Sequence, residues 1–487
     1  MKEMLSLKKL EKAHGTKQKK EIEKELPFFI TVVFLLASSG LAPYLIFKKV
    51  SKIDLLPVIQ QEANKILKRI DFLAGDPLTM ISNTKGRLHS EALSEFLGGY
   101  ILSMQSGGDV LSYLKSQMNS AFDIFAESEK TSIEKTKAII EAFMTLQVVI
   151  LAVFIIVAAM GNNPLDATTT SQTNSDTPYF IMLLPLVISV GFLKLVQDLT
   201  KPKTNELELK IILIYIIPSV LIAIIIILTG IFSTFNVDEY ILGIALIAGS
   251  IWPALKFKKI YTLGLNAESA TPRILRDITE ARKVGLGPEK CVQKACAGND
   301  FKLFNPIANS ISNKLQWGVS LNNIFNSLQN EIKNFKVLIC FKILFEIISS
   351  GGGNAETLDS LAATSERLHN IEKTKQEMLK PYVMVAFMLM GITGFSILMV
   401  IDSFGDIEKG KELDEAKRAE LEAEVDSSIS VFSIVIIFQS WITGLVLGKI
   451  ITGNYSGGFQ YSLVLIIITL VGVTIINLSL FKVASLF

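Results

Sequence analysis

Cysteine, histidine and tryptophan are scarce, with three of each in 487 residues. Cys291, Cys296 and Cys340 lack the close pairing and further ligands of a metal site, and only His14, His89 and His369 could add to them. No metal site is expected, and the thiols should be free and reduced, as suits a cytoplasmic setting. The chain also lacks GxxxxGK[ST], GxSxG, HExxH and paired CxxC motifs. Gly351, Gly352 and Gly353 precede no Lys-Ser/Thr and read as a turn rather than a phosphate loop. His369 has no ATP-binding domain beside it, so it reads as a solvated helix residue rather than a phosphorelay histidine. No alternation of period two suggests strands. The expectation is a protein without catalytic residues, cofactor, metal or nucleic-acid partner.

What the chain does have is apolar length. Half of its residues are hydrophobic, and the mean hydropathy is +0.44, which places it among integral membrane proteins. The net charge of +2 hides a segregation of opposite charges along the chain.

The sequence also contains one pattern twice. Residues 271–295, TPRILRDITEARKVGLGPEKCVQKA, fall on residues 26–50, LPFFITVVFLLASSGLAPYLIFKKV, after a shift of 245. Pro272, Gly285, Leu286 and Pro288 then match Pro27, Gly40, Leu41 and Pro43. In each copy a proline is expected to open a helix, and a Gly-Leu-x-Pro turn to end it about thirteen residues later. Ile274, Leu275, Ile278 and Ala281 form an inward stripe, occupied in the first copy by Phe29, Ile30, Val33 and Leu36. Downstream, Ser106, Gly107 and Gly108 lie 245 residues before Gly351, Gly352 and Gly353, and a long helical run follows each cluster. Several landmarks at one offset argue for internal duplication.

Residues 26–47 carry no charge until Lys48 and resemble a signal anchor. The second copy argues otherwise, because Arg273, Arg276, Asp277, Glu280, Arg282 and Lys283 make its helix soluble. The break at Ser38, Ser39 and Gly40 also leaves about thirteen helical residues, too few for roughly 30 Å of hydrocarbon. One difference stands out. Where the second copy has Arg273, Asp277 and Glu280, the first has Phe28, Val32 and Leu35, a second apolar stripe. A helix apolar all round needs a partner on each face: its own bundle, plus the other domain, a second protomer or the lipid interface.

Residues 1–26 read as a solvated Lys/Glu-rich arm. Further helices are expected at 56–73, 90–105, 304–317, 321–332, 335–349 and 355–378. Seven membrane spans are expected at about 143–160, 179–197, 211–233, 239–256, 381–402, 429–448 and 459–481. Lys194, Lys201, Lys203, Lys210, Lys256, Lys258 and Lys259 place their flanks in the cytoplasm with both soluble domains. The loop 403–428, with nine acids against four bases, falls outside and reads as a solvated helix or a partner site. The amino terminus is then cytoplasmic and the carboxyl terminus external. The spans hold almost no ionisable groups away from their ends, which favours a scaffold over a pump. Gly444 and Gly448 fit the spacing that lets helices approach closely, for packing or for dimerisation. The basic residues Arg273, Arg276, Arg282, Lys283 and Lys290 form either a docking surface for an acidic partner or an ordinary solvated face.

PRILRDITEARKVGLGPEKCVQKA, followed by a Ser-Gly-Gly-Gly turn, a long helix and membrane spans, resembles the type II secretion F-domain family. Two such domains, with four spans between and three after, look like its archaeal branch, the platform proteins of archaella and archaeal type IV pili. The resemblance implies an all-α integral membrane protein with two duplicated cytoplasmic helical-bundle domains and about seven transmembrane helices. Its parts would be a charged arm at 1–25, F-domain copies at 26–142 and 257–380, and membrane helices at 143–256 and 381–487. It further implies a non-catalytic platform partnered by a hexameric secretion ATPase, pilin or archaellin subunits and membrane lipid, with a homodimer as an option. The basic ends of the two first hairpins, Lys48, Lys49 and Lys52 and then Arg282, Lys283 and Lys290, are the candidate ATPase-docking residues. The competing reading is a membrane receptor or signalling scaffold with cytoplasmic helices; a transporter comes third.

Overall fold

The computed structural model describes residues 2–73, 77–84, 90–159, 187–196, 238–298, 300–409 and 415–484. Among these residues all regular structure is helical. In chain order the helices are α1 (Lys2–Ser38), α2 (Pro43–Val50), α3 (Pro57–Leu73), α4 (Pro77–Thr84), α5 (Glu91–Gln105) and α6 (Val110–Ala159). An apolar stretch, α7 (Val187–Val196), precedes α8 (Asp238–Lys283), α9 (Pro288–Ala297), α10 (Asn305–Gln316), α11 (Leu321–Glu331), α12 (Phe335–Ser349) and α13 (Ala355–Lys409). The last two are α14 (Glu415–Thr452) and α15 (Tyr455–Ala484). The chain divides into two compact units, Met1–Ser132 with Ile260–Thr374, and Ile133–Lys259 with Lys375–Phe487. The division falls inside α6, α8 and α13.

The first unit holds two helix series in the same order. The end of α1 and α2 to α6 make the first; the end of α8 and α9 to α13 make the second. Local chemistry explains why their ends coincide. Gly40 (φ +82°) and Gly285 (φ +91°) occupy the left-handed region that an L side chain avoids. Around them two backbone bonds repeat, the first from Gly40 N–H to Ala37 O and from Gly285 N–H to Arg282 O. Leu41 N–H donates to Leu36 O and Leu286 N–H to Ala281 O, the six-to-one closure of a helix end. Pro43 and Pro288 then start α2 and α9, where the missing N–H has no role. Ser90 caps α5 through Leu93 N–H, and Asn334 caps α12 through the N–H groups of Lys336 and Val337. Asp109 accepts from Ser112 N–H before α6, as Asn354 accepts from Thr357 N–H before α13.

Three expectations are corrected here. Pro27 and Pro272 do not open helices; they lie inside α1 and α8. An interior proline removes one backbone bond and costs about 3 kcal/mol. Burial on both sides of it sustains α1: Ile22 and Leu26 before Pro27, and Phe28, Phe29 and Ile30 after it, are all enclosed. The arm is therefore not wholly solvated, since its last turn is core. The glycine clusters also pair differently. Ser106 and Gly107 (φ +68°) match Ser350 and Gly351 (φ +78°) at an offset of 244, and the extra Gly353 (φ +91°) restores 245 by Asp109 and Asn354. Gly108 and Gly352 are not in the left-handed region.

Three helices among the described residues are long and apolar enough to cross a membrane: Tyr240–Lys283, which begins in the second unit and ends in the first, and Ser433–Thr452 and Tyr455–Ile475 in the second. The expected span 211–233, part of 179–197, the loop 161–178 and Lys201, Lys203 and Lys210 lie outside the described residues. Residues 410–414 of the acidic loop do too; its remainder belongs to α13 and α14. Gly444 and Gly448 press α14 onto α15. A Cβ on Gly448 would lie 2.0 Å from Gly458 Cα, and one on Gly444 2.3 Å from Ser462 Cα. The spacing therefore serves packing within the chain. Uncharged polar groups tie the helices together. The amides of Gln147 and Gln439 both donate to Ser189 Oγ, at 3.1 and 2.7 Å, and Trp441 Nε1 donates to Ser250 Oγ at 3.3 Å.

Candidate functional site

The candidate docking residues sit on and beside the turns that end α1 and α8, so their setting begins with those helices. In α1, one face is formed by Phe29, Ile30, Val33 and Leu36, and the second by Phe28, Val32 and Leu35. All are buried. The first face lies on its own bundle, with Phe29 against Phe47 and Phe96. The second meets both its own α6 and the other series. The Phe28 ring stands edge-on to Phe122 and Phe125 of α6, and to Phe335 of α12 at 5.2 Å. Such aromatic contacts contribute about 0.5–1.5 kcal/mol each beyond the area they bury. Over this stripe the structure places the second helix series, through Phe335 of α12.

Polar contacts continue this junction. Ser38 and Thr357 share a hydroxyl hydrogen bond at 3.0 Å. Ser39 lies so near Gly352 that a Cβ there would stand 2.2 Å from Ser39 Oγ. Lys49 Nζ reaches Glu346 at 3.1 Å, and Lys342 meets the same carboxylate at 3.1 Å. Glu346 is buried, so two cations hold its charge where one alone would leave it poorly compensated. Its signal in the sequence is a lone acid in FKVLICFKILFEIIS, although nothing there names Lys49 as its partner. A second buried set joins Lys336 to Glu372 (2.7 Å) and Glu268 (3.4 Å). Burial pulls the Lys336 pKa down, but the two carboxylates outweigh it and hold it above its ordinary value.

The six candidate residues separate under this geometry. Lys49 belongs to the junction, with Ser349 Oγ as a further acceptor. Arg282 donates from Nε to Gly353 O and from Nη1 to Leu286 O, fastening the turn after α8 to the start of α13. Lys48, with its ammonium 5.9 Å from the Tyr44 ring, is exposed, as are Lys52 and Lys290. Lys283 is exposed and pairs with Glu280 at 2.8 Å. Beside α8, Arg273, Arg276, Asp277, Asp300 and Phe301 line an open hollow of about 310 Å³. The three cysteines are free and buried. Burial pushes the thiols of Cys296 and Cys340 up to about 12, so both are unreactive at neutral pH.

The comparison with known families decides between the readings. The model for "Type II secretion system (T2SS), protein F" matches residues 29–160 and again 274–401, just over half of the chain. The chain belongs to that family. The two matches begin 245 residues apart, at corresponding positions of α1 and α8. Proteins of the type II secretion F family are membrane platform proteins of secretion and pilus-type assembly, not enzymes. The chain is also similar to an uncharacterized protein of Methanocaldococcus jannaschii, 19% identical over 422 residues, covering 78% of this chain and 69% of that one. No solved structure matches.

Proposed function

We propose that this F-family protein is the membrane platform of an archaeal type IV pilus-like or archaellum machine. It consists of two duplicated cytoplasmic F domains and seven membrane spans, with the amino terminus inside and the carboxyl terminus outside. The observation that carries the reading is the double match, set at one offset on two helix series whose turns and caps repeat. A cytoplasmic hexameric ATPase supplies the energy, and the platform passes movement to pilin or archaellin subunits. Two features favour a mechanical role. α6 and α13 run as single helices from one unit into the next, and α6 contains neither glycine nor proline. Among the six candidate cations, Lys48, Lys52, Lys283 and Lys290 carry the docking, because Lys49 and Arg282 hold the protein's own fold.

The test reverses Lys48, Lys52 and Lys290 to glutamate together, leaving Lys49 and Arg282 intact. The triple variant should insert and fold as the wild type does, yet recover at least tenfold less secretion ATPase of the same organism in a pull-down and make no filaments. Binding of the wild type should weaken with salt, because exposed charges steer association. Wild-type recovery of the ATPase by the triple variant would place docking elsewhere.

A further inference from the structure

Two large rings stand in water at equivalent places in the two helix series. Phe72, in the last turn of α3, is 93% exposed, and Trp317, which ends α10, is 77% exposed. They lie 245 residues apart, and the packing around them keeps that register. Ile59, Ala63 and Ile66 are buried, as are Phe304, Ala308 and Ile311 at the same offset. The neighbouring helices agree as well. Tyr44 of α2 donates to Asp71 of α3 at 3.2 Å, and Ser312 of α10 donates to Gln293 O of α9 at 3.0 Å. Gln293 and Ser312 correspond to Lys48 and Leu67, one turn along the same antiparallel pair from Tyr44 and Asp71. Among the described residues of the first unit, no other exposed large apolar side chain has an exposed apolar counterpart at this offset. A lone exposed apolar residue is ordinary; an aromatic ring in water at the same place twice is not.

Exposed lysines stand beside each ring. Lys48 lies over the Tyr44 ring, whose hydroxyl holds Asp71 next to Phe72, and Lys68 is exposed one turn before Phe72. Because α9 and α10 run antiparallel, the end of α10 comes level with the start of α9, where Glu289 and Lys290 are exposed. There Glu289 offsets Lys290, so the ring itself carries the contact. Exposed lysines steer a partner, whereas large rings that enter a pocket supply most of the energy that holds an interface. We propose that Phe72 and Trp317 are paired anchors for a partner that presents one apolar pocket more than once, acidic at its rim where it meets Lys48 and Lys68. A homo-oligomer is such a partner, because its symmetry repeats every surface patch. The inference rests on the platform reading for the identity of that partner, the hexameric ATPase, and adds which side chains hold it. The lysines bring the partner in; the rings keep it.

Equilibrium binding of the secretion ATPase of the same organism to the full chain in nanodiscs tests this. Phe72→Ala and Trp317→Ala should each weaken binding at least tenfold, and the double variant at least fiftyfold. These losses should be equal at low and high salt, unlike those of the lysine reversals, because salt does not screen an apolar contact. Phe72→Trp and Trp317→Phe should stay within about threefold of the wild type, which separates loss of an anchor from loss of folding. A wild type that does not bind the ATPase would overturn the platform reading, and the anchors with it. A wild type that binds, with alanine variants that bind equally well, would leave that reading standing and overturn the anchors. A loss confined to one ring would overturn their pairing. The native cysteines are buried, so a fluorophore can be attached at Phe72→Cys or Trp317→Cys alone. Iodide in the buffer should quench it; quenching by brominated lipid instead would assign the rings to the membrane surface and overturn the proposal.

Discussion

The last thirteen residues of α1 and of α8 have the same backbone plan and opposite surroundings. Both end in a left-handed glycine closed by the same two backbone bonds, and both press an apolar stripe onto their own bundle. Among the positions that differ, three make the second stripe: Phe28, Val32 and Leu35 against Arg273, Asp277 and Glu280. In α1 these three are buried, with Phe28 against the other series; in α8 Arg273 and Glu280 are exposed. The backbone of an F domain is therefore compatible with either surface. The second stripe alone reports whether a partner lies over it, and apolar side chains there have been matched by a partner face on α12.

The most severe way to break this comparison is to exchange one position in each direction. Leu35→Asp puts a carboxylate at a fully enclosed site without a cation, and should lower stability by about 3–5 kcal/mol. The mirror change, Glu280→Leu, removes an exposed partner of Lys283 and should alter stability by no more than about 0.5 kcal/mol. Thermal unfolding of the full chain in detergent reads both. Equal effects would mean that the second face of α1 is not enclosed in solution.

Burial of that face was legible from Phe28, Val32 and Leu35 because a helix stripe at i, i+4 and i+7 is a local pattern. The starts of the helices at 335 and 355 have a local marker of the same kind, Asn334 and Asn354, whose side chains accept the first N–H groups. What covers the stripe was not legible, because Phe335 lies more than three hundred residues away and nothing local couples it to Phe28. The same distance hid the roles of Lys49 and Arg282. A basic residue in a sequence does not show whether it faces water or, as Lys49 does, a buried acid such as Glu346. Pro27 misled because proline is a common first helical residue, while tertiary burial on both sides let α1 run through it. In the second unit, counting ionisable groups passed over Gln147, Ser189 and Gln439, which carry no charge and yet bond to one another in its interior.

A subtler difference lies one turn earlier, where α1 has Glu25 and α8 has the buried Ala270. The Glu25 carboxylate accepts the N–H groups of Val58 (3.1 Å) and Ile59 (2.8 Å), acting as a cap for α3. Burial nevertheless raises its pKa to about 7, against the lowering by those backbone bonds. The folded state thus prefers the protonated acid. Ionisation imposes a penalty that is complete above pH about 7, shrinks as the pH falls, and is gone below the unfolded value near 4.5. Wild-type stability should rise by about 2 kcal/mol from pH about 7.5 to 5 relative to Glu25→Gln, whose neutral amide does not titrate in that window. Unfolding midpoints at the two pH values provide the measurement. A wild-type minus variant difference that is flat, or that runs the other way, would show that Glu25 is ionised and comfortable in its cap.

The smallest expected effect concerns the charged face of α8 itself. Arg276 donates to Glu366 at 2.6 Å, with both side chains about half exposed, while its counterpart Thr31 is buried and donates to Pro27 O at 2.7 Å. The pair is short, but water and salt screen it, and two long side chains lose freedom to hold one geometry. A double-mutant cycle with Arg276→Ala and Glu366→Ala should give a coupling of about 0.2–1 kcal/mol, falling further as salt is raised. Thr31→Val should cost about 1 kcal/mol or less whatever the salt, since it removes one local hydrogen bond to a carbonyl and keeps the volume. A coupling above about 2 kcal/mol that persists at high salt would mean that Arg276 and Glu366 are shielded from water, and so that the open face of α8 is covered in the assembled protein.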